Sequence, residues 1–113
     1  MKGKERLDRT EKPFKTALVG KVAVSSELAS KQLYDRGSFG ELAEDKIQYS
    51  LVEALYLLNK GKIKVFLAGK QLNSDAFLRQ ASKLEPEFYT RYVVFKDMRN
   101  RGYLVKTALK FGA

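Results

Sequence analysis

The sequence predicts an α/β (α+β) fold: a small N-terminal domain of about three helices and short mixed strands, followed by the first helix and strand of an incomplete second unit. Runs of β-branched and aromatic residues bounded by glycine indicate strands, and the segments between them carry apolar residues at helical spacing. The 113 residues, 44% of them hydrophobic, allow one compact domain or a small domain and the opening of another.

The first quarter of the chain divides at Pro13. Residues 1–13 are polar without apolar periodicity, so we expect a basic mobile arm. Residues 14–24 are β-prone and interrupted by Gly20, which predicts one or two strands around a turn. Ser25 or Ser26 can cap a first helix that ends at Gly37.

A capping box gives the clearest local signal. After a predicted strand over residues 46–49, the Ser50 hydroxyl can accept from the amide of Glu53 while the Glu53 carboxylate reaches back. This arrangement predicts the start of a second helix, which the sequence Asn59-Lys60-Gly61 ends. The β-prone residues 62–67 then predict another strand.

The last third of the chain predicts two helices and a strand. Ser74 can cap a third helix over residues 75–84, and Pro86 suits the first position of a fourth helix. An apolar stripe on that fourth helix predicts burial, its members being Phe88, Tyr92 and Phe95, widened by Val94 and Met98. Residues 103–111 alternate as a strand, and because no later strand can pair with it, we expect a missing continuation after Ala113.

The sequence contains neither cysteine nor histidine. Their absence removes thiolate and imidazole metal ligands, thiol nucleophiles and the commonest general base, so we expect no metal and no cofactor. The pair Glu44-Asp45 falls in a predicted loop and favours a solvated turn. We expect no membrane span or signal peptide and, from the lack of cysteine, a cytoplasmic location.

The formal charge of +9 is concentrated at the two ends of the chain, and residues 17–89 are nearly neutral. Residues 90–113 hold six lysines and arginines against one acidic residue. A cationic surface favours a polyanionic partner because bound phosphates release counterions. Candidate RNA-binding residues are Lys96, Arg99, Arg101, Lys106 and Lys110. The alternative is a merely solvated face, or lysines that extend past an interface.

Three segments carry a resemblance to a known family. Residues 88–113, FYTRYVVFKDMRNRGYLVKTALKFGA, resemble the opening of the catalytic domain of archaeal-type tRNA-intron (tRNA-splicing) endonucleases. Residues 49–65, YSLVEALYLLNKGKIKV, are similar to the central helix and strand of that family's N-terminal domain, and residues 32–40, QLYDRGSFG, to its first helix and turn. The similarity covers most of the chain in order.

The resemblance implies a family N-terminal domain over residues 14–84 and a truncated α/β nuclease-like catalytic domain over 85–113. Members cleave precursor tRNA without a metal, leaving 2′,3′-cyclic phosphate and 5′-OH ends. The family's catalytic tyrosine, histidine and lysine lie downstream of Ala113, so no catalytic residue is assigned to this chain. We therefore expect precursor tRNA and other endonuclease subunits, in a homo- or hetero-oligomer, as partners.

Alternatives to this interpretation remain open. The chain could be a stand-alone basic RNA-binding module, an alternative that the positive charge near the C-terminus supports. It could also be an assembly subunit without RNA contact. Within the endonuclease interpretation it could be a fragment, a split subunit completed by another polypeptide, or the ordered part of a longer chain. By itself it is expected to be inactive.

Overall fold

A mixed sheet with helices on one of its faces forms the structure. The computed structural model describes residues 12–37 and 39–102. In these residues the strands are β1 (Phe14–Val19), β2 (Val22–Ser25), β3 (Glu41–Ala43), β4 (Lys46–Ser50), β5 (Ile63–Leu67) and β6 (Lys70–Leu72). The helices are α1 (Leu28–Gly37), α2 (Leu51–Asn59), α3 (Ser74–Leu84) and α4 (Phe88–Asn100). The predicted mixed α/β fold is confirmed.

The sheet has the strand order β3-β4-β2-β1-β5-β6. Strand β1 pairs parallel with β5, aligning Thr16 with Val65, and antiparallel with β2. All other neighbouring strands are antiparallel. Because side chains alternate along each strand, the register places one set of residues against the helices and the other on a face that none of the described helices covers. We call the second face the open face.

Helix α2 lies at the centre of the molecule. It packs against β2, β4 and β5 on one side and against α3 and α4 on the other. Residues 51 to 57 are all buried, as expected for a helix surrounded by protein. The predicted capping box is present at its start, where the Ser50 hydroxyl oxygen accepts from the Glu53 amide at 3.3 Å.

The Glu53 carboxylate joins α2 to the loop before β3. One oxygen accepts from the Ser50 amide at 2.9 Å and the other from the Gly40 amide at 2.9 Å, and Glu53 is only 2% exposed. Gly40 has a φ of +86°, and a Cβ there would lie 2.6 Å from the Ile47 side chain. Glycine is therefore required at the position that approaches the carboxylate.

Tyr49 is a second buried polar side chain, next to the capping box. Its residue exposure is 0%, and its hydroxyl has no hydrogen bond of good geometry. Burial raises the pKa of Tyr49, the negative charge of Glu53 raises it further, and the Ser30 hydroxyl opposes both effects. The phenol is therefore held in its neutral form.

The predicted N-terminal elements agree with the structure. Strands β1 and β2 enclose the turn at Gly20, where φ is +59°, α1 ends at Gly37, and α2, β4 and β5 lie where the sequence predicts them. The pair Glu44-Asp45 forms the β3–β4 turn, as predicted. Strands β3 and β6 were not predicted. Each has three residues, too few for a periodic signal, and each gains its hydrogen bonds from a neighbouring strand.

Three predictions about α3 and α4 were wrong. The N-cap of α3 is Asn73, whose side chain accepts from the Ala76 amide at 2.8 Å, so Ser74 lies inside the helix. Helix α4 begins at Phe88, and Glu87 before it has a φ of +60°; Pro86 thus belongs to the preceding turn. Val94, predicted to widen the buried stripe, is 55% exposed. Met98 is exposed as well.

The ends of the chain fall outside the described residues. The strand predicted over residues 103–111 lies there, as does most of the arm predicted over 1–13, so both stay predictions. None of the helices in the described part of the chain combines the length and the apolar character that crossing a membrane requires.

Replacing the buried carboxylate tests its role in the fold. In Glu53→Gln one of the two oxygens becomes an NH₂ donor that faces an N–H group. We expect the free energy of unfolding to fall by about 3 kcal/mol, measured by urea denaturation. The control Asp45→Asn, in an exposed turn, should stay within about 0.5 kcal/mol of the wild type. Equal stability of the two variants would contradict this role.

The buried phenol predicts a loss of stability in alkali. Because the pKa of Tyr49 is raised in the folded state, its stabilisation is complete below the ordinary value of about 10 and declines above it, by up to about 1.4 kcal/mol per pH unit. Tyr49→Phe should remove this decline between pH 8 and pH 11 in urea denaturation. Tyr89→Phe, at a residue 59% exposed, should leave it unchanged. A Tyr49→Phe stability difference that is the same at both pH values would contradict the assignment.

Candidate nucleic-acid interface

The predicted RNA-binding cations are divided between α4 and the residues after it. Lys96, Arg99 and Arg101 belong to the described chain, at and just after the last turns of α4. Lys106 and Lys110 lie outside the described residues, so their assignment stays a prediction. The buried side of α4 carries Phe88, Tyr92 and Phe95, as predicted.

Arg99 is held within the fold. Its guanidinium carbon lies 3.8 Å from the centroid of the Phe39 ring, and its Nη2 donates to the Gly37 carbonyl oxygen at 2.9 Å. Burial lowers the pKa of the guanidinium, while nearby Tyr56 and Glu53 oppose that shift. The flat guanidinium thus connects α4 to the loop that follows α1.

The Arg99 contact continues into a column of two stacked rings with a cation at each end. Phe39 stacks on Tyr56 with ring centroids 5.8 Å apart, and the Lys60 ammonium lies 5.3 Å from the Tyr56 centroid on α2. The Tyr56 hydroxyl donates to the Asn100 side chain at 3.0 Å. The column therefore joins α2, α4 and the loop before β3 through aromatic and cation–π contacts.

Lys96 and Arg101, the other two predicted RNA-binding residues in the described chain, face solvent. Arg101 pairs with Asp97 at 3.1 Å, but both side chains are more than half exposed, so the pair adds little stability. Lys96 is exposed on α4. Of the candidates that the structure describes, Lys96 and Arg101 can reach a phosphate without first breaking a buried contact, whereas Arg99 cannot.

The position of Arg99 could have been predicted from helical spacing. It follows Phe95 by four residues and Tyr92 by seven, so it continues the buried stripe of α4. A charge at the end of an apolar stripe is a candidate for a ring contact as much as for a phosphate contact. Arg99 was predicted to bind RNA from its charge alone.

A second cationic surface, on the open face, was missed. Lys15 on β1, Lys64 on β5 and Lys46 on β4 all project from this face. The local signal is a lysine between two apolar or buried residues, as in Phe14-Lys15-Thr16. The sequence argument from net charge could not find this surface, because its lysines are far apart in the chain and are aligned only by the strand register.

Two tyrosine hydroxyls of the described chain form hydrogen bonds to asparagine side chains that join neighbouring helices. The Tyr92 hydroxyl accepts from the Asn59 side chain at 2.9 Å, and the Tyr56 hydroxyl is bound to Asn100. Residues 12–37 and 39–102 bring together no group of three or more acidic, cysteine or histidine side chains that could hold a metal ion.

Comparison with known proteins then identifies the family. Residues 15–78, more than half of the chain, match the family model "tRNA intron endonuclease, N-terminal domain". The chain belongs to the tRNA-intron endonuclease family. It is 44% identical over 104 residues to a tRNA-splicing endonuclease of Thermococcus onnurineus and 43% identical over 104 residues to one of Pyrococcus horikoshii. A tRNA-splicing endonuclease of Methanosarcina acetivorans is 42% identical over 93 residues.

The similarity covers this chain more completely than it covers its relatives. The matches to the Thermococcus and Pyrococcus endonucleases include 91% of this chain and 61% of each relative; the Methanosarcina match includes 82% of this chain and 27% of the relative. The family model falls within the predicted N-terminal domain of residues 14–84. The division at residues 84 and 85 stays a prediction.

A conservative substitution separates the role of Arg99 in the fold from a role in RNA contact. In Arg99→Lys the charge remains but the flat stacking surface and the directed bond to Gly37 are lost. We expect the free energy of unfolding to fall by about 1–2 kcal/mol in urea denaturation. Lys96→Gln should change stability by less than about 0.5 kcal/mol and weaken binding of a precursor tRNA. Arg99→Lys with wild-type stability and reduced RNA affinity would contradict this division.

Proposed function

We propose that the chain contributes the N-terminal domain and the first catalytic-domain helix of a tRNA-splicing endonuclease acting on precursor tRNA. The observation that carries the proposal is the match to tRNA-splicing endonucleases over 91% of the chain. In this role the chain supplies scaffold, assembly contacts and RNA contact. The catalytic groups come from a complementary polypeptide or segment, and the reaction leaves 2′,3′-cyclic phosphate and 5′-OH ends.

An exposed apolar surface on α4 supports the assembly part of the proposal. Four of the exposed large hydrophobic residues lie on this helix, with exposures of 37 to 59%: Tyr89, Val93, Val94 and Met98. They form two pairs at helical spacing, Tyr89 with Val93 and Val94 with Met98, on the two sides of the buried stripe, and exposed apolar side chains grouped in this way favour protein contacts. The relatives have further chain beyond the matched part, so a complementary catalytic segment is the occupant that fits this surface.

The RNA-contact part of the proposal rests on the exposed cations of α4. Lys96 and Arg101 lie near its C-terminus beside the apolar surface, so a segment packed on α4 would meet RNA next to them. Lys106 and Lys110 extend the same basic block in sequence. Contact with phosphates there would contribute affinity without sequence preference.

Reconstitution tests the proposed function. The chain is combined with the part of the Thermococcus onnurineus endonuclease that lies outside the matched segment, and a precursor tRNA is added in the presence of EDTA. We expect neither polypeptide alone to cut, and the mixture to release the intron with 2′,3′-cyclic phosphate ends. Cleavage by this chain alone, or no cleavage by a mixture that co-purifies as a complex, would overturn the proposal.

A matched pair of variants tests the α4 surface in the same assay. Val93→Lys places a charge in the apolar surface and should lower co-purification and cleavage at least about tenfold, equivalent to about 1.4 kcal/mol of binding energy. Ser82→Lys introduces the same side chain at an exposed position of α3 and should act like the wild type. If both variants assemble normally, α4 is not the assembly surface.

A further inference from the structure

The open face carries a row of lysines that crosses four neighbouring strands. The strand register aligns Lys15 of β1 with Lys64 of β5, and Lys46 of β4 lies one residue before Ile47, which is aligned with Ser25 of β2. Neighbouring strands are about 4.8 Å apart, so the row extends over about 14 Å. Its length and its single sign of charge suit a polyanionic strand more than a single anion.

A second row beside the lysines is apolar and amide-bearing. In register across the sheet lie Gln48 of β4, Val24 of β2, Ala17 of β1, Phe66 of β5 and Gln71 of β6. The half-buried Phe66 ring has the Lys15 ammonium 6.0 Å from its centroid. An aromatic face flanked by a cation and by amide groups offers stacking and base-edge contacts next to phosphate contacts.

We propose that the open face binds an unpaired segment of RNA, with its phosphates along the lysine row and a base stacked on Phe66. When a base covers the ring, the Lys15 ammonium moves from the ring to a phosphate. The inference rests on the proposed role in precursor-tRNA processing and adds a contact surface on the side of the sheet away from the helices. It assigns Lys15, Lys64 and Phe66 as the principal contacts.

Carboxylates define where the RNA segment lies. Glu41 projects from the open face on the edge strand β3, Glu44 lies in the turn beside Lys46, and Glu27 accepts from the Lys15 backbone amide at 3.2 Å. They surround the β2–β4–β3 side of the face. Repulsion of phosphates there favours a path over β1, β5 and β6, past Lys15 and Lys64, and leaves Lys46, beside Glu44, at the edge of the contact.

The charge pattern favours RNA over a second copy of the chain. Two copies joined through this face would bring lysine rows of the same sign into a low-dielectric contact, which is unfavourable. A double helix is also a poorer occupant, because its paired bases are stacked on one another and cannot cover Phe66. An unpaired strand can expose both its phosphates and a base to the same flat surface.

The experiment measures the affinity of the 113-residue chain for a fluorescent ten-nucleotide oligouridylate between 50 and 400 mM KCl. The test variant is Lys15→Gln/Lys64→Gln. The control is Arg79→Gln/Lys83→Gln, which removes the same charge from exposed positions of α3 on the opposite side of the sheet. The test variant should lower the slope of log affinity against log salt by about 1.4, since each single-strand phosphate contributes about 0.7. The control should retain the wild-type slope.

A ring substitution tests the stacking contact. Phe66→Leu keeps an apolar side chain but removes the aromatic face, and it should weaken oligouridylate binding about five- to hundredfold without changing the salt slope. A ten-base-pair RNA duplex should bind more weakly than the single strand and be insensitive to Phe66→Leu. Circular dichroism melting of each variant checks that the fold is retained.

Three outcomes would overturn the inference. They are equal slopes for the test and control lysine variants, a Phe66→Leu variant that folds and binds like the wild type, and a change in oligomeric mass by sedimentation for the lysine variant without a change in RNA affinity. The last outcome would identify an interface between copies. The reconstituted cleavage assay is scored separately, so the proposed function can fail or stand independently of this surface.

Discussion

The buried carboxylate of Glu53 is the constraint on which the rest of the structure depends. It completes the cap of α2, binds the loop before β3, and places a negative charge in the buried interior of the molecule. Burying such a charge is costly unless donors surround it. Two backbone amides and the Ser50 hydroxyl supply those donors, so the start of the central helix and the Gly40 loop can form only together.

The same charge helps to explain why Arg99 belongs to the fold. Glu53 opposes the effect of burial on the pKa of the Arg99 guanidinium, and the loop held by Glu53 presents Phe39 and the Gly37 carbonyl to it. Acid, ring and cation thus stabilise one arrangement of α1, α2 and α4. Helix α4 is consequently fixed against the preceding elements, and the positions of its exposed apolar residues are fixed with it.

Local chemistry decided how much of the fold could be predicted. The Ser50–Glu53 box and the turn at Gly20 depend on residues close in sequence, and both are confirmed. Strands β3 and β6 depend on neighbours distant in sequence, and the cap at Asn73 competed with an equally suitable Ser74. Lys96 and Arg101 were predicted as candidate contacts from charge alone, but the register that aligns Lys15 with Lys64 exists only after the sheet forms.

The fold separates two kinds of exposed surface. The apolar residues of α4 lie on the helical side, since α4 packs against α2 and α3, whereas the lysine row lies on the far side of the sheet from α2. A protein partner on α4 would therefore leave the open face accessible. Because burying a phosphate or a lysine ammonium in an apolar contact is costly, this separation would let one small domain hold the proposed partner and the proposed RNA segment at the same time.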